Sequence, residues 1–583
     1  MKPFMVFSFV LVTAVHADQT TILQPLVITA TSTAVSVADS LASVTVISSE
    51  EIDTQQAQEM SELLAGQPGV DVSSNGGYGK TTSIYMRGAN SESTKFLIDG
   101  IPLYSATSGG APFQNIPTSL IDRLEIVRGP KATLYGAGAA GGVIQAFLPQ
   151  AEEDTQLDVS VGGGSFNTKT ADAIVSGSHG NTQYLLSAGT FETDGDIVKK
   201  DTGTQGYDNE NLLFNVGQTF DSGARVSGLI MNSEGRNQYV GNENDYQVQV
   251  IGLGISLPIT DQWDTELKLS QSRNESTTLS SGSAYDTKAQ TARWSNTLWA
   301  GDHEYVLGAE VSEDSVEVTS YQAPDRTNKA IFAQSLFDFG ATSLQLNLRQ
   351  DNNSAYGDST TGGVAVGYKL DKVHTLRTSY GRAFEAPTFN DLYYPSSGDP
   401  TLKATESETF EVGVRADYDH VYWDAAVFDA SYGNMVIWSN YTGSWVPYNV
   451  DAKAQGVELE SGVVLDQWQL KAAYTWLDVK DNDTGFQLPK RAQRSVRLSA
   501  DRQLSHGQIG MTLTGANGRT STLGSSETLA GYVIMNLRAR YDFLPDWNVE
   551  FSIKNALDKE YQTAKDYFNP GRGVFVTLNY SAF

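Results

Sequence analysis

The sequence contains no cysteine, and this excludes disulfide bonds and thiolate chemistry. Beyond its first few residues it has no run of about 18 apolar residues, so we expect no transmembrane helix. Histidine is scarce: the six residues at positions 16, 179, 303, 374, 420 and 506 do not cluster in the sequence. Acidic residues outnumber basic ones by 68 to 40, and the net charge of −28 argues against a nucleic acid partner.

The first 17 residues have the pattern of a secretory signal. One lysine precedes an apolar run from Phe4 to Val15, and Ala17 stands just before Asp18. A positive start, an apolar centre and a small residue at the cleavage point are the features that export signals share. We therefore predict a signal peptide over residues 1–17 and an exported mature chain.

Most of the chain alternates apolar with polar residues, as β-strands do when one face is apolar and the other polar. In segment 547–554, Trp547, Val549, Phe551 and Ile553 alternate with four polar residues, and segment 263–270 repeats the pattern. The pattern recurs from about residue 156 to the end, between polar loops. The 27 Tyr and 9 Trp suit aromatic girdles at two membrane interfaces. These features predict an all-β transmembrane barrel.

We predict twenty-two antiparallel strands and place this barrel at residues 151–583. The strands begin near residues 156, 168, 182, 209, 224, 245, 263, 288, 303, 328, 342, 362, 374, 408, 422, 453, 468, 493, 507, 532, 547 and 573. In the last strand, Val574, Val576, Leu578 and Tyr580 share the expected lipid face, whereas the terminal Phe583 has the opposite parity. A barrel of this size has a wide lumen, and an open pore so wide would leak.

Residues 31–150 differ from the barrel strands and are the natural candidate for a plug in the lumen. Segment 49–52 has the character of a helix start, and residues 59–64 continue into a stop at the Gly/Pro-rich segment 66–69. Short strands are predicted at 83–87, 95–98 and 123–127, between Gly-rich turns. A segment of roughly 120 residues can bury a core of its own. The sequence thus predicts an N-terminal α/β plug domain.

Four motifs occur in order within this segment: Pro68-Gly69-Val70, Ile84-Tyr85-Met86-Arg87-Gly88, Leu97-Ile98-Asp99-Gly100 and Arg123-Leu124-Glu125-Ile126-Val127-Arg128-Gly129-Pro130. Others follow in the barrel, including Asn390-Asp391-Leu392-Tyr393 and Asn555-Ala556-Leu557-Asp558. Together they resemble the plug and barrel of TonB-dependent outer-membrane receptors over nearly the whole mature chain. Within that family the chain is most similar to cobalamin receptors. The resemblance implies an importer in the outer membrane of a Gram-negative cell.

An outer membrane holds no ATP, so such an importer needs an external energy supply. Residues 18–30 form a periplasmic N-terminus in this interpretation, and they contain most of a short extended apolar stretch ahead of the plug. The resemblance identifies this stretch as a TonB box that adds as an edge strand to the periplasmic protein TonB. The alternative is one more strand of the plug, since β-branched runs usually pair within their own domain. The predicted box comprises Gln24, Pro25, Leu26, Val27, Ile28, Thr29, Ala30 and Thr31.

The family imports ferric siderophores, haem, cobalamin and some sugars. Haem ranks low here, because haem iron is usually held by a side chain such as histidine and the histidines are scattered. Similarity to cobalamin receptors puts six residues at ligand-contact positions, with Lys490 in the place of an arginine. Each of them could instead be an ordinary polar loop residue. The six are Thr81, Ser83, Asn90, Ser108, Gly109 and Lys490.

Two acidic loops suggest calcium, a hard cation that takes six to eight oxygen ligands. The cobalamin receptors that this chain resembles use calcium to order such loops. Val240 stands where that family has an aspartate, so one ligand is missing, and solvated acidic loops are the alternative. The candidate ligands are Asp196, Asp208, Glu210, Tyr239 and Asp245.

The resulting hypothesis is TonB-dependent import of cobalamin or another corrinoid, with a ferric siderophore receptor as the alternative. We expect a monomer surrounded by outer-membrane lipid and lipopolysaccharide, with TonB as its protein partner and no catalytic cofactor. A passive porin should lack residues 31–150. A barrel enzyme should show a Ser/His/Asp constellation near the rim, for which the sparse histidines offer little support.

Overall fold

The computed structural model describes residues 25–151, 153–440, 443–525 and 527–582. The predicted signal peptide, Gln24 of the predicted TonB box and the terminal Phe583 lie outside the described residues. Within the described part of the chain, no helix is both long enough and apolar enough to cross a membrane.

A closed antiparallel barrel of 22 strands forms the larger part of the protein, which confirms the predicted fold class and strand number. The first strand pairs with the last, so the barrel has no free edge. Its strands are β10 (Gln156–Gly164), β11 (Thr168–His179), β12 (Thr182–Thr193), β13 (Tyr207–Thr219), β14 (Arg225–Tyr239), β15 (Asn242–Thr260), β16 (Trp263–Thr278), β17 (Ser283–Ala300), β18 (His303–Val318), β19 (Arg326–Asp338), β20 (Thr342–Asn353), β21 (Gly357–Lys369), β22 (His374–Glu385), β23 (Thr405–Asp417), β24 (Val421–Ser439), β25 (Val446–Leu465), β26 (Trp468–Asp481), β27 (Arg494–Leu504), β28 (Gly507–Ala516), β31 (Tyr532–Leu544), β32 (Trp547–Lys554) and β35 (Gly573–Ala582).

Side-chain exposure along the strands follows the alternation in the sequence. Leu212 and Phe214 are 44% and 40% exposed on the outer surface, whereas Leu213 between them is fully buried against the plug. In the last strand, Val574, Val576 and Leu578 are exposed and Phe575 is buried, which confirms the predicted lipid face at these three positions, whereas Tyr580 is only partly exposed and lines a cavity beside the plug. The outer surface is apolar because it faces lipid, and the inner surface packs on the plug.

Strand starts are predicted least well where strands continue beyond the membrane. Strand β25 begins at Val446, whereas the sequence pattern places its start near residue 453. This strand has 20 residues, about twice the length that a bilayer requires. In its outer part the alternation is reversed, because Val450 and Ala452 are buried and Asp451 and Lys453 are exposed, so this part has no lipid face.

The plug lies at the N-terminus and consists of a five-stranded sheet, small hairpins and short helices. The sheet has the order β3 (Val44–Ile47), β8 (Arg123–Arg128), β9 (Gly142–Phe147), β6 (Thr94–Ile98) and β7 (Ile101–Pro102), in which β6 and β9 are parallel and the other pairs antiparallel. In chain order, the strands and helices of the plug are β1 (Leu26–Val27), β2 (Val35–Ser36), β3 (Val44–Ile47), α1 (Ser49–Gln55), α2 (Met60–Leu64), β4 (Val70–Ser74), β5 (Thr82–Met86), β6 (Thr94–Ile98), β7 (Ile101–Pro102), β8 (Arg123–Arg128), α3 (Ala132–Tyr135) and β9 (Gly142–Phe147).

Loops between barrel strands carry the remaining elements. These are helix α4 (Phe389–Tyr393) and two hairpins, β29 (Arg519–Thr520) with β30 (Thr528–Leu529) and β33 (Gln562–Ala564) with β34 (Tyr567–Phe568). One-turn 3-10 helices occur at Ser91–Ser93, Phe113–Asn115, Thr118–Leu120 and Ser165–Asn167.

Local sequence explains where the plug helices begin and end. The Ser48 side chain accepts a hydrogen bond from the Glu51 backbone N at the start of α1, and acidic residues in the first turn favour the positive end of the helix dipole. Helix α2 ends at Leu64, just before the Gly/Pro-rich segment 66–69. Its Leu63 and Leu64 are fully buried in the plug core.

Buried arginines of the plug are paired with carboxylates of the barrel wall. Arg87 Nη1 lies 2.6 Å from Glu411 Oε2, and Arg87 Nη2 lies 2.7 Å from Glu458 Oε2. Arg128 Nε lies 3.2 Å from the same Glu458 oxygen. All four side chains are almost fully buried, so these ion pairs hold the plug inside the lumen and are not available to a ligand.

Arg87→Met should loosen the plug, because it leaves buried carboxylates without part of their counter-charge. Breaking a buried pair by removing one partner costs about 3–5 kcal/mol. We expect the plug to become sensitive to protease at a clearly lower temperature than in the wild type. The matched control is Arg382→Met, whose pair with Glu408 is about half exposed and should contribute less than about 1 kcal/mol. Equal protease sensitivity of the two variants would contradict a docking role for Arg87.

Candidate ligand cavity

A cavity of about 640 Å³ lies between the plug and the barrel wall, at the end of the barrel that carries the longer loops. One barrel end has tight turns such as residues 180–181, and the other has loops such as residues 386–404. Outer-membrane barrels have short periplasmic turns and longer outer loops. The cavity is therefore on the outer side of the plug, where a ligand arrives.

Amides, hydroxyls and aromatic rings line most of this cavity. Two plug loops form its floor, and the outer ends of β14, β16 and β17 supply side chains such as Asn237, Asn274, Ser276 and Tyr285. A volume of this size lies within the usual range for ligand sites. The lining can donate and accept hydrogen bonds along a large polar ligand, and the rings provide flat apolar contact.

The structure brings three of the six predicted contact residues together in this cavity: Thr81, Ser83 and Ser108. Gly109 follows Ser108 but faces a smaller internal cavity, and its φ of +81° is in the left-handed region. A Cβ at Gly109 would overlap Glu92 Cβ, so this turn has no room for a side chain. A ligand contact by any of the six residues stays a prediction.

Asn90 and Lys490 lie outside the cavity lining, and the neighbouring Arg491 explains their positions. The Asn90 side chain donates to Val436 O at 2.6 Å and accepts from Arg491 Nη2 at 2.6 Å, so it joins the plug to the barrel wall. The Arg491 guanidinium also stacks on the Tyr85 ring at 4.4 Å. In this segment the plug contact is thus made by Arg491, and sequence comparison had selected Lys490 beside it.

Lys80 is a residue of the cavity lining that the sequence analysis did not select. Its side chain is 3% exposed, and burial lowers its pKa to about 8, although the nearby Glu59 opposes this shift. A lysine in a Gly-rich loop has no sequence signal that separates it from a solvated surface lysine. Its burial depends on residues more than 100 positions away in the chain, because Nζ bonds to Gly206 O and Asn237 Oδ1.

The five candidate calcium ligands do not form one cluster. Asp196 accepts a hydrogen bond from the Gly571 backbone N at 3.0 Å. Tyr239 Oη lies 3.4 Å from Thr278 Oγ1 and faces the ligand cavity, whereas Glu210 is exposed on the outer surface of β13. Throughout the described ranges, no group of three or more His, Asp or Glu side chains is placed to hold a metal ion.

Asp208 and Asp245 do converge, but on an arginine. The Arg236 backbone N donates to Asp208 Oδ2 at 2.7 Å, and Arg236 Nε donates to Asp245 Oδ1 at 2.8 Å. The Arg236 guanidinium therefore puts a positive charge beside Asp245, where a cation would have to bind. The residues in this arrangement do not fit a calcium ion, and calcium binding stays a prediction that requires Arg236 to move.

Arg236→Gln provides the test of that prediction. If Asp208 and Asp245 bind calcium, removal of the competing guanidinium should raise calcium affinity about two- to fivefold, the range expected for an exposed ion pair. Calcium titration of the purified variant and of the wild type by calorimetry measures this change. Arg382→Gln, which removes an exposed pair on another strand, should leave the affinity unchanged. Absence of binding heat in all three proteins would exclude the site.

A second cavity of about 400 Å³ lies on the periplasmic side, between the plug and the wall near β10 and β35. Tyr207 lines this inner cavity and Tyr246 lines the outer one. The two rings stack at 5.8 Å, and Tyr246 Oη donates to Tyr207 Oη at 2.8 Å. Tyr78 of the plug packs in the same cluster, so aromatic side chains from plug and wall separate the two cavities.

The predicted TonB box is docked on the plug in this structure. Strand β1 (Leu26–Val27) pairs with β2 (Val35–Ser36), which is the arrangement of the alternative interpretation, a further plug strand. The backbone N atoms of Ile28 and Thr29 donate to Glu125 Oε2 at 3.0 and 2.8 Å. Glu125 is fully buried in strand β8 of the central plug sheet, so the segment is attached directly to the plug core. Its role as a TonB box stays a prediction.

Two family models match this chain. The TonB-dependent receptor plug domain matches residues 36–143, and the TonB-dependent receptor-like β-barrel matches residues 146–556. The chain belongs to the TonB-dependent receptor family. Such receptors bind a ligand and TonB, and this one is located in the outer membrane of a Gram-negative cell.

Curated relatives of this receptor share most of its length. The vitamin B12 transporter BtuB of Photobacterium profundum is 29% identical over 561 residues, which cover 93% of this chain and 92% of that protein. The vitamin B12 transporter BtuB of Vibrio vulnificus is 30% identical over 569 residues, with the same two coverages.

Solved structures of the family have the same fold at lower identity. The ferric enterobactin receptor PfeA of Pseudomonas aeruginosa has a TM-score of 0.80 at 19% identity, and the match covers 92% of this chain and 98% of that one. The siderophore receptor PirA of Acinetobacter baumannii has a TM-score of 0.80 at 18% identity, with the same two coverages.

Proposed function

We propose that this TonB-dependent receptor imports cobalamin or another corrinoid. The observation that carries the proposal is its similarity to vitamin B12 transporters over 93% of the chain. The siderophore receptors are similar in fold at 18–19% identity, and at that level they support the architecture alone.

The lining of the outer cavity supports the same proposal. Corrinoids carry several amide groups around a large ring, and these groups need both donors and acceptors. Asn237, Asn274 and Ser276 of the wall, with Thr81 and Ser83 of the plug, offer both. A hydrogen-bonding site discriminates strongly against ligands that leave its buried polar groups unpaired, so the lining favours an amide-rich ligand.

Transport in this proposal depends on TonB and on movement of the plug. TonB would pair with the extended segment at residues 24–31 by strand addition. Because this segment is attached to Glu125, a pull on it reaches the central plug sheet. The receptor would work as a single barrel, with lipid and lipopolysaccharide around its apolar outer surface.

Calorimetric titration with cyanocobalamin and with ferric siderophores tests the ligand class. We expect binding of cyanocobalamin by the wild type and a large loss of affinity in Ser83→Trp, because the indole would fill part of the cavity. The matched control is Thr484→Trp in an exposed loop outside the cavity, which should bind like the wild type. Binding of a ferric siderophore without binding of cyanocobalamin would support the siderophore alternative.

A further inference from the structure

Lys80 places a buried positive charge at the lining of the outer cavity. Its Nζ donates to Tyr78 O at 2.8 Å, to Gly206 O at 3.3 Å and to Asn237 Oδ1 at 2.8 Å. All three acceptors are neutral. Across the described residues, no carboxylate forms an ion pair with this ammonium, although the protein has a net charge of −28. The three hydrogen bonds satisfy the donors. The nearby Glu59 forms no ion pair with Lys80, and burial raises the pKa of Glu59 to about 8, so this acid does not act as a full counter-ion near neutral pH.

Several buried arginines of the lumen are paired with carboxylates, whereas Arg491 and Arg497 bond only to neutral acceptors. Arg87 has Glu411 and Glu458, and Arg349 has two carboxylates within 2.9 Å. Burial of an unpaired charge is expensive, and pairing is the usual solution. Lys80 differs from these arginines because it faces a cavity and not a packed interface. A counter-charge can therefore arrive with a ligand.

The other charged groups of the cavity lining do not cancel this charge. Lys199 adds a second cation, which lies over the Tyr567 ring at 4.6 Å. Glu92 is the acidic residue of the lining, and burial together with the nearby Asp391 raises its pKa to about 7. Glu92 is thus only partly ionised near neutral pH, and the cavity is cationic within an acidic protein.

We infer that Lys80 is the counter-ion site for one localised anionic group of the ligand, and that it makes the cavity prefer ligands with such a group. The inference rests on the proposed function, in which the anionic group is the phosphodiester of the corrinoid nucleotide loop. A ligand oxygen can take the place of Asn237 Oδ1, because Asn237 also faces the cavity. A phosphate oxygen beside a poorly hydrated ammonium forms a charge-assisted hydrogen bond, which is stronger than a neutral one.

Two corrinoids provide the test, since cyanocobalamin carries the phosphodiester and dicyanocobinamide lacks it. Lys80→Gln keeps the approximate length and hydrogen-bonding capacity of the side chain and removes the charge. We expect this variant to bind cyanocobalamin about 10- to 100-fold more weakly than the wild type, as loss of a charged hydrogen bond predicts. Its affinity for dicyanocobinamide should stay within about twofold, because that ligand never used the charge.

Two further variants separate charge from folding. Lys80→Arg retains the positive charge and should keep most of the difference between the two corrinoids. Lys199→Gln removes the other cavity cation, which is not buried, and should have a much smaller effect. If Lys80→Gln weakens the binding of both corrinoids equally, or does not weaken the binding of cyanocobalamin, the inference is overturned and Lys80 is a structural residue.

Failure of the proposed function has a different signature, because the wild type would then bind neither corrinoid. In that case a trianionic ferric tricatecholate and a neutral ferric trihydroxamate replace the two corrinoids. If Lys80→Gln then weakens the binding of the tricatecholate but not that of the trihydroxamate, the result still supports the counter-ion site. Equal affinities of wild type and variant for both iron complexes would overturn it.

Discussion

A protein that lacks residues 31–150 is expected to conduct ions across a planar bilayer far more than the intact receptor. All 22 barrel strands lie outside this segment and pair only with one another, so the barrel can close without the plug. The plug core and its ion pairs with Glu411 and Glu458 occupy the lumen in the intact protein. Barrels with fewer strands than this one already leave an aqueous channel, so the empty lumen should be a wide pore.

Single-channel recording of both proteins at equal reconstitution measures the effect. Circular dichroism of the deletion variant provides the folding control, because its β-content should match that of the barrel alone. Water should fill the lumen and solvate Glu411 and Glu458 once their plug partners are gone. Equal conductance of a folded deletion variant and the intact protein would mean that residues 31–150 do not seal the barrel.

Leu26→Pro is expected to abolish uptake and leave ligand binding unchanged. Proline removes a backbone donor that strand addition to TonB would need. Leu26 is 52% exposed in the docked segment, so its side chain is accessible to a partner at the periplasmic end. Among the described residues 25–31 of this segment, none lines the outer cavity, so binding should be preserved.

Uptake of radiolabelled cobalamin by cells, with binding to the same cells at low temperature, separates the two steps. Leu26→Ala is the matched control, since it keeps the backbone donor and should retain most of the uptake. Normal uptake by Leu26→Pro would mean that the segment is only the plug strand seen in the structure. Loss of cobalamin binding to cells that carry Leu26→Pro would mean that the substitution disturbs the fold and not the coupling to TonB.

Fold class could be predicted because each membrane strand carries its own signal. In strand β32, Phe551 is exposed and the adjacent Ser552 is buried, as the alternation of apolar and polar residues requires. The plug helices were also predictable, since a capping serine and a Gly/Pro-rich end act within a few residues. Strand ends such as Val446 were not predictable, because the part of a strand outside the bilayer needs no apolar outer face.

The candidate site was only partly predictable. Similarity in sequence placed Thr81, Ser83 and Ser108 at the cavity, since each lies in a loop whose position follows from the plug fold. It also placed Lys490 at a ligand-contact position, which stays a prediction, and the neighbouring Arg491 contacts the plug. Adjacent residues in a loop point in different directions, and sequence alone does not determine which one faces the lumen.

The sequence by itself determined the membrane barrel, its strand number and the family, because lipid imposes a local pattern on every strand. Only the tertiary structure decided how the charges are distributed over the lumen. Arg87 forms ion pairs with Glu411 and Glu458, which are more than 300 residues away in the chain. Asp208 and Asp245 both accept hydrogen bonds from Arg236. Charge pairing depends on distances in space, and closure of the barrel around the plug sets those distances.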